Sequence, residues 1–131
     1  VMTHRSRSAV AIVDDDPRVL ESLEELLESA GYAVFCFSSA EALLARGLSQ
    51  VDVLITDIGL PNVDGLQLRN AVRERRPDLP VFLITGRYEI ADQSRAKGIT
   101  GFFRKPFDGL ALLSAIGEAL RSGKVESDDD D

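Results

Sequence analysis

Short apolar runs alternate five times along this chain with stretches in which apolar residues recur every three or four positions. The first run, 9–13, ends in acids and is read as strand β1. Asp16-Pro17 then opens helix α1, with aspartate a good N-cap and proline favoured at the first helical position. Val19, Leu20, Leu23, Leu26, Leu27 and Ala30 carry its apolar face, and Gly31 stops it. Aromatic and branched residues mark β2 at 32–37. Ser38 or Ser39 caps a short α2 that ends at Arg46. A nearly continuous apolar run, 51–56, suits a strand covered on both faces, β3. After a loop at 58–64, punctuated by Pro61 and Gly65, α3 is predicted over 66–76 and ended by Pro77. Three elements follow: β4 at 81–85, a weakly amphipathic α4 at 89–97 stopped by Gly98, and β5 at 100–104. Asp108 caps the last helix, α5, in which Leu110, Leu113, Ile116 and Leu120 share a face.

This alternation predicts an α/β fold. A parallel, doubly wound sheet has right-handed crossovers and helices on both faces. With five strands in the order 2-1-3-4-5, β1 and β3 are neighbours. Functional groups in such sheets gather at the carboxyl ends of the strands, where strand order reverses. Three regions are expected: a disordered arm at 1–8, one domain at 9–121, and a disordered acidic tail at 122–131.

The formal net charge is −7, which argues against nucleic-acid binding by this domain alone. No apolar run approaches a membrane span, and the first eight residues do not read as a signal peptide. Cys36 is the single cysteine, so no disulfide staples the fold, and a reducing, cytoplasmic setting is expected. Its apolar neighbours predict a small buried hydrophobe.

The strand ends carry the chemistry. β1 runs into Asp14, Asp15 and Asp16; β3 into Asp57; β4 into Thr85-Gly86; β5 into Lys105-Pro106. Carboxylates would converge in one crevice, with a hydroxyl and an ammonium opposite. Such a set suits phosphoryl transfer to a carboxylate. Asp57 can attack phosphorus and become an aspartyl phosphate. Asp15 and Asp57 can hold Mg²⁺ directly and Asp14 through water. Lys105 offers a compact charge to one phosphoryl oxygen, and Thr85 a hydroxyl to another. Asp16 is read as a helix cap alone.

Four motifs stand in order, each at a predicted strand end: IVDDD at 12–16, VLITDIGLPNVDG at 53–65, LITG at 83–86 and FFRKPF at 102–107. Together they resemble a bacterial response-regulator receiver from Val10 to about Leu120. The resemblance implies a flavodoxin-like receiver fold with Asp57 as phospho-acceptor. It implies Asp14 and Asp15 as the acidic pair, Asp15 the direct metal ligand, and the Gly59 carbonyl as a further ligand to Mg²⁺ or to Mn²⁺ in its place. Thr85 and Lys105 match the switch hydroxyl and the phosphate-binding lysine, Phe102 the switch aromatic, and Pro106 a cis proline. The implied donor is a phosphohistidine on a sensor histidine kinase or phosphotransfer protein, and the implied output a contact or homodimer through α4-β5-α5. A domain of this kind is a signalling element that assists its own phosphorylation and slow dephosphorylation, rather than an enzyme. From Thr85 to Lys105 is 20 positions, shorter than the family pattern, with the shortfall between Thr85 and Gly98.

Rival readings fit less well. Haloacid-dehalogenase-like phosphatases need their nucleophile after the first strand and a second aspartate two positions on, where this chain has Gly59. A flavodoxin-like cofactor module needs a Ser/Thr/Gly-rich phosphate cradle after β1, where this chain has three acids. A degenerate receiver would not need the complete Asp/Thr/Lys set. Phe102 also fits plain core packing. Arg46, Arg69, Arg73, Arg75 and Arg76 read as solvated helix faces.

Overall fold

The strands of this chain are apolar on both sides, and the structure gives each side its own cover. A computed structural model of the protein describes residues 7–60, 62–86 and 101–129, with side chains described as far as Ser122. Five parallel strands form one sheet in the order β2-β1-β3-β4-β5. They are β1 (Ala9–Val13), β2 (Ala33–Phe37), β3 (Val53–Asp57), β4 (Val81–Thr85) and β5 (Gly101–Arg104). Alternate strand residues point to opposite faces. Val10, Ile12, Val53, Ile55, Phe82 and Ile84 therefore meet Leu23 and Leu27 of α1 (Pro17–Ser29) and Leu112 and Ile116 of α5 (Gly109–Asp129). Ala11, Val13, Leu54 and Leu83 meet Leu43 of α2 (Ala40–Arg46) and Leu66, Leu68 and Val72 of α3 (Gly65–Arg75).

Local signals set the helix boundaries. Asp16 accepts a hydrogen bond from the Arg18 amide at 2.9 Å, with Pro17 in the first turn. Gly31 turns the chain at φ 96°, a conformation glycine adopts without steric cost. Ser39 caps α2 through the Ala42 amide, and Asp108 caps α5 through the Leu110 and Ala111 amides.

Several expectations need correction. β3 starts at Val53 and includes Asp57, because the Val51 amide closes a turn on the Leu48 carbonyl. β2 starts at Ala33, because the Tyr32 amide bonds back to the Leu27 carbonyl at the end of α1. α3 begins one residue early, at Gly65, behind a reciprocal capping box between Asp64 and Gln67. The last helix, α5, spans Gly109–Asp129.

Cys36 is exposed: β2 is an edge strand, and α1 covers Val34 but not Cys36. Partial desolvation of its sulfur and the charges of Glu24 and Glu28 raise the thiol pKa, which keeps it protonated. Among the arginines, Arg69 is buried. Arg76 donates to the carbonyls of Leu48 and Val51 at 2.7 and 3.1 Å and pairs with Asp78, tying two loops together. Arg46 lies over the Phe35 ring, 4.8 Å from its centroid. The expected arm up to residue 6, α4, the start of β5 at Thr100 and the last two residues lie outside the described residues. No helix among the described residues is long and apolar enough to cross a membrane.

The two-sided core generates a contrast. Leu23→Ala removes a fully buried side chain facing the sheet and is expected to cost about 2–5 kcal/mol. Leu110 is 76% exposed, so Leu110→Ala should change stability by no more than about 0.5 kcal/mol. Urea unfolding of the two variants beside wild type measures both.

Candidate functional site

The order of strands places β1 and β3 side by side, with Val13 opposite Thr56, and the next residue of each chain segment is an aspartate. Asp14 is fully buried. Its amide still joins the sheet, donating to the Phe37 carbonyl, while its side chain accepts from the Asp16 amide at 2.9 Å and from Lys105 Nζ at 3.0 Å. Asp15 beside it is exposed. Asp57 ends β3 and is 8% exposed; its Oδ1 accepts from the Gly59 amide at 3.1 Å, and its Oδ2 lies 3.4 Å from Lys105 Nζ. One carboxylate oxygen from each of Asp14, Asp15 and Asp57 lies within 4.8 Å of the others.

The opposite wall is built by β4 and β5. Thr85 closes β4, is buried, and accepts the Lys105 amide on its carbonyl at 2.7 Å. Backbone pairing of Thr85 with Arg104 thus delivers Lys105 to the crevice. The Lys105–Pro106 peptide is cis. Phe102, one strand residue opposite Leu83, is partly buried against the core that faces α2 and α3.

The charges are unequal partners. Burial is the largest influence on Asp14 and raises its pKa; the Asp16 amide and Lys105 lower it but do not compensate, and Asp57 raises it further. Burial acts against the Lys105 ammonium too, but the Asp14 hydrogen bond and the charges of Asp57 and Asp14 outweigh it, so the lysine pKa is raised. The ion pair therefore secures the lysine charge but does not offset the burial that leaves Asp14 reluctant to ionise. Hard oxygen donors with a deficit of positive charge are what a hard divalent cation of the Mg²⁺ or Mn²⁺ type requires, so the donor set fits one.

Sequence reasoning anticipated Asp14, Asp15, Asp57 and Lys105, and the structure brings their charged groups together. Thr85 stands at the adjoining strand end, and the Gly59 amide donates to Asp57 Oδ1. The Asp64–Gln67 capping box, which anchors the far end of the loop after Asp57, was not anticipated; its D-x-x-Q spacing was the available signal.

A doubly wound five-stranded sheet with an acidic crevice and a lysine at its carboxyl edge defines a phosphoryl-accepting signalling domain of two-component systems, whose members generally bind Mg²⁺ in that crevice. Residues 10–117 match the family model of the response regulator receiver domain, and the chain belongs to that family. It is 34% identical over 131 residues to the transcriptional regulatory protein GlrR of Escherichia coli (strain K12), covering 98% of this chain and 29% of that protein. It is 39% identical over 117 residues to the response regulator protein TmoT of Ectopseudomonas mendocina, covering 87% of this chain and 53% of that protein. The chain thus spans about a third to a half of these relatives. Among solved structures, a CheY-like response regulator receiver domain protein from Methanospirillum hungatei JF-1 superposes with a TM-score of 0.87 at 28% identity, covering 92% of this chain and 99% of that one. The beryllofluoride-activated NtrC4 receiver domain dimer superposes with a TM-score of 0.81 at 27% identity, covering 87% and 97%.

The raised pKa of Asp14 has a consequence for stability. Between the ordinary carboxyl value of 3.8 and the raised folded value, the native state holds more protons than the unfolded chain. Stability therefore falls as pH rises through that window, and the cost persists above it. Asp14→Asn removes the ionisation. In chelator-treated buffer it should be more stable than wild type at pH 7, with an advantage that shrinks toward pH 3.8. Urea midpoints at several pH values test this; a constant difference across the range contradicts it.

Proposed function

We propose that Asp57 is the phospho-acceptor of this receiver and that Asp14, Asp15, the Gly59 carbonyl, Thr85 and Lys105 serve it. The observation that carries the reading is the cluster of Asp14, Asp15 and Asp57 carboxylates at the switch point of the sheet, with Asp14 and Asp57 both in contact with Lys105 Nζ. Mg²⁺ held by the three carboxylates and the Gly59 carbonyl would offset the negative charge that gathers when a phosphoryl group enters.

The chain's own residues do the rest. The Gly59 amide fixes the orientation of the Asp57 carboxylate. A carboxylate oxygen attacks phosphorus, a new O–P bond forms, and the donor's P–N bond breaks with its electron pair leaving on the histidine nitrogen. No base is required, because attack by a carboxylate, unlike attack by a hydroxyl, does not depend on a proton being removed in the step. Lys105 exchanges its carboxylate partners for a phosphoryl oxygen, and the Thr85 hydroxyl donates to another. Attack of water on phosphorus later expels the Asp57 carboxylate and resets the domain, so the chain assists its own dephosphorylation.

The donor is a sensor histidine kinase or a phosphotransfer protein in the cytoplasm. The output is a changed protein contact on the side of the domain that carries β5 and α5, through which two copies of this chain pair. Movement of Thr85 toward the phosphoryl group leaves room for Phe102 to turn inward, and a phenylalanine carries no hydroxyl to desolvate. The name of GlrR, a transcriptional regulatory protein, supports regulation of transcription as the process served.

Incubation with Mg²⁺ and a small acyl phosphate should add one phosphoryl group, seen by intact mass spectrometry. Asp57→Asn should take up none, since an amide is a poor nucleophile; full labelling of the variant would refute the assignment. Separately, Mg²⁺ at roughly a hundred times its Kd should stabilise the fold by about 2–3 kcal/mol, a rise of several degrees in Tm. Asp15→Ala should lose most of that rise, and identical Mg²⁺ titrations of variant and wild type would refute the metal site.

A further inference from the structure

The first residue of α3 is packed directly on the backbone of the residue that takes the phosphoryl group. Gly65 is buried, and its amide donates to the Ile58 carbonyl at 3.0 Å. A Cβ built on Gly65 would overlap the Asp57 carbonyl oxygen and would stand 2.9 Å from both the Asp57 carbonyl carbon and the Ile58 Cα. All three atoms are backbone, so no side chain can turn away to make room. The positive-φ glycines among the described residues are Gly31 and Gly47, so Gly65 is not there for an unusual backbone angle. Alanine is also the better helix former. What remains is space: α3 can sit this close to β3 only with hydrogen at that position.

Two restraints make the closeness matter for chemistry. The Asp64–Gln67 capping box holds the start of α3, so the helix cannot retreat cheaply. The Asp57–Ile58–Gly59 turn, on the other side of the contact, fixes the Asp57 carboxylate through the Gly59 amide. A side chain wedged between them would be relieved mainly by moving that turn, and with it both the Asp57 carboxylate and the Gly59 carbonyl.

We propose that Gly65 is a positioning residue for phosphoryl acceptance: its lack of a side chain lets α3 clamp the Asp57–Gly59 turn in the geometry that the carboxylate and the metal-facing carbonyl need. This rests on the assignment of Asp57 as acceptor. Gly101→Ala supplies the control. A Cβ there would meet the Phe82 ring at 2.6 and 2.8 Å, a comparable intrusion into the core that involves neither Asp57 nor Gly59.

The test compares wild type, Gly65→Ala and Gly101→Ala for Tm, for Mg²⁺ affinity by amide NMR, and for the rate of labelling by an acyl phosphate per folded molecule. Gly65→Ala should label about tenfold more slowly or worse, and bind Mg²⁺ more weakly. Gly101→Ala should lose thermal stability while keeping wild-type rate and affinity. If Gly65→Ala does not hold its fold in buffer, the same measurements are made in trimethylamine N-oxide, which favours the compact state. A Gly65→Ala protein with wild-type rate and Mg²⁺ affinity, or two variants slowed alike, overturns the inference while leaving Asp57 in place. Wild type that labels elsewhere refutes the Asp57 assignment itself, and the inference with it.

Discussion

One lysine ammonium stands against three carboxylates, and much of the molecule follows from holding that imbalance in place. Lys105 reaches Asp14 at 3.0 Å and Asp57 at 3.4 Å, and Asp15 adds a third negative group within reach. Like charges at such distances repel, and burial adds a desolvation cost, felt here by Asp14. The arrangement persists because each carboxylate-bearing segment is anchored by something else. Asp14 is fixed by ladder pairing to β2, Asp57 by its place at the end of a fully buried strand, and Lys105 by its amide on the Thr85 carbonyl. The apolar sheet and its two helical layers hold charges that would separate if left to themselves.

That stored repulsion is also what makes the crevice useful. A cation supplying the missing charge would bind the folded arrangement in preference to the unfolded chain, which would link metal binding to folding. On the proposed reading, a phosphoryl group on Asp57 would give Lys105 a stronger partner and change which contacts it makes. Thr85 and Phe102, the groups proposed to respond, lie on the neighbouring strands β4 and β5.

Much of this was legible because strand ends and helix caps are written locally. Asp16-Pro17, Ser39 and Asp108 each announce a helix with a side-chain acceptor that the structure puts to use. Asp14, Asp57 and Lys105 could be brought together on paper because strand order follows from βα alternation. What stayed hidden depends on packing between distant segments. Cys36 sits in an apolar run, yet being on an edge strand exposes it. Arg69 and Arg76 look solvated in sequence, but one is buried and the other ties two loops whose closeness no local pattern records. Gly65 reads as turn punctuation; that it lies against the Asp57 carbonyl emerges only when α3 is laid on β3.

The proposed function requires Asp57 to become an acyl phosphate, and that bond can be read chemically at its own residue. Borohydride reduces an aspartyl phosphate to homoserine and leaves ordinary carboxylates untouched. After phosphorylation with Mg²⁺ and a small acyl phosphate, reduction and peptide sequencing by mass spectrometry should find homoserine at position 57 and nowhere else. Homoserine at Asp14 or Asp15, or phosphorylated protein that yields none, would contradict the account.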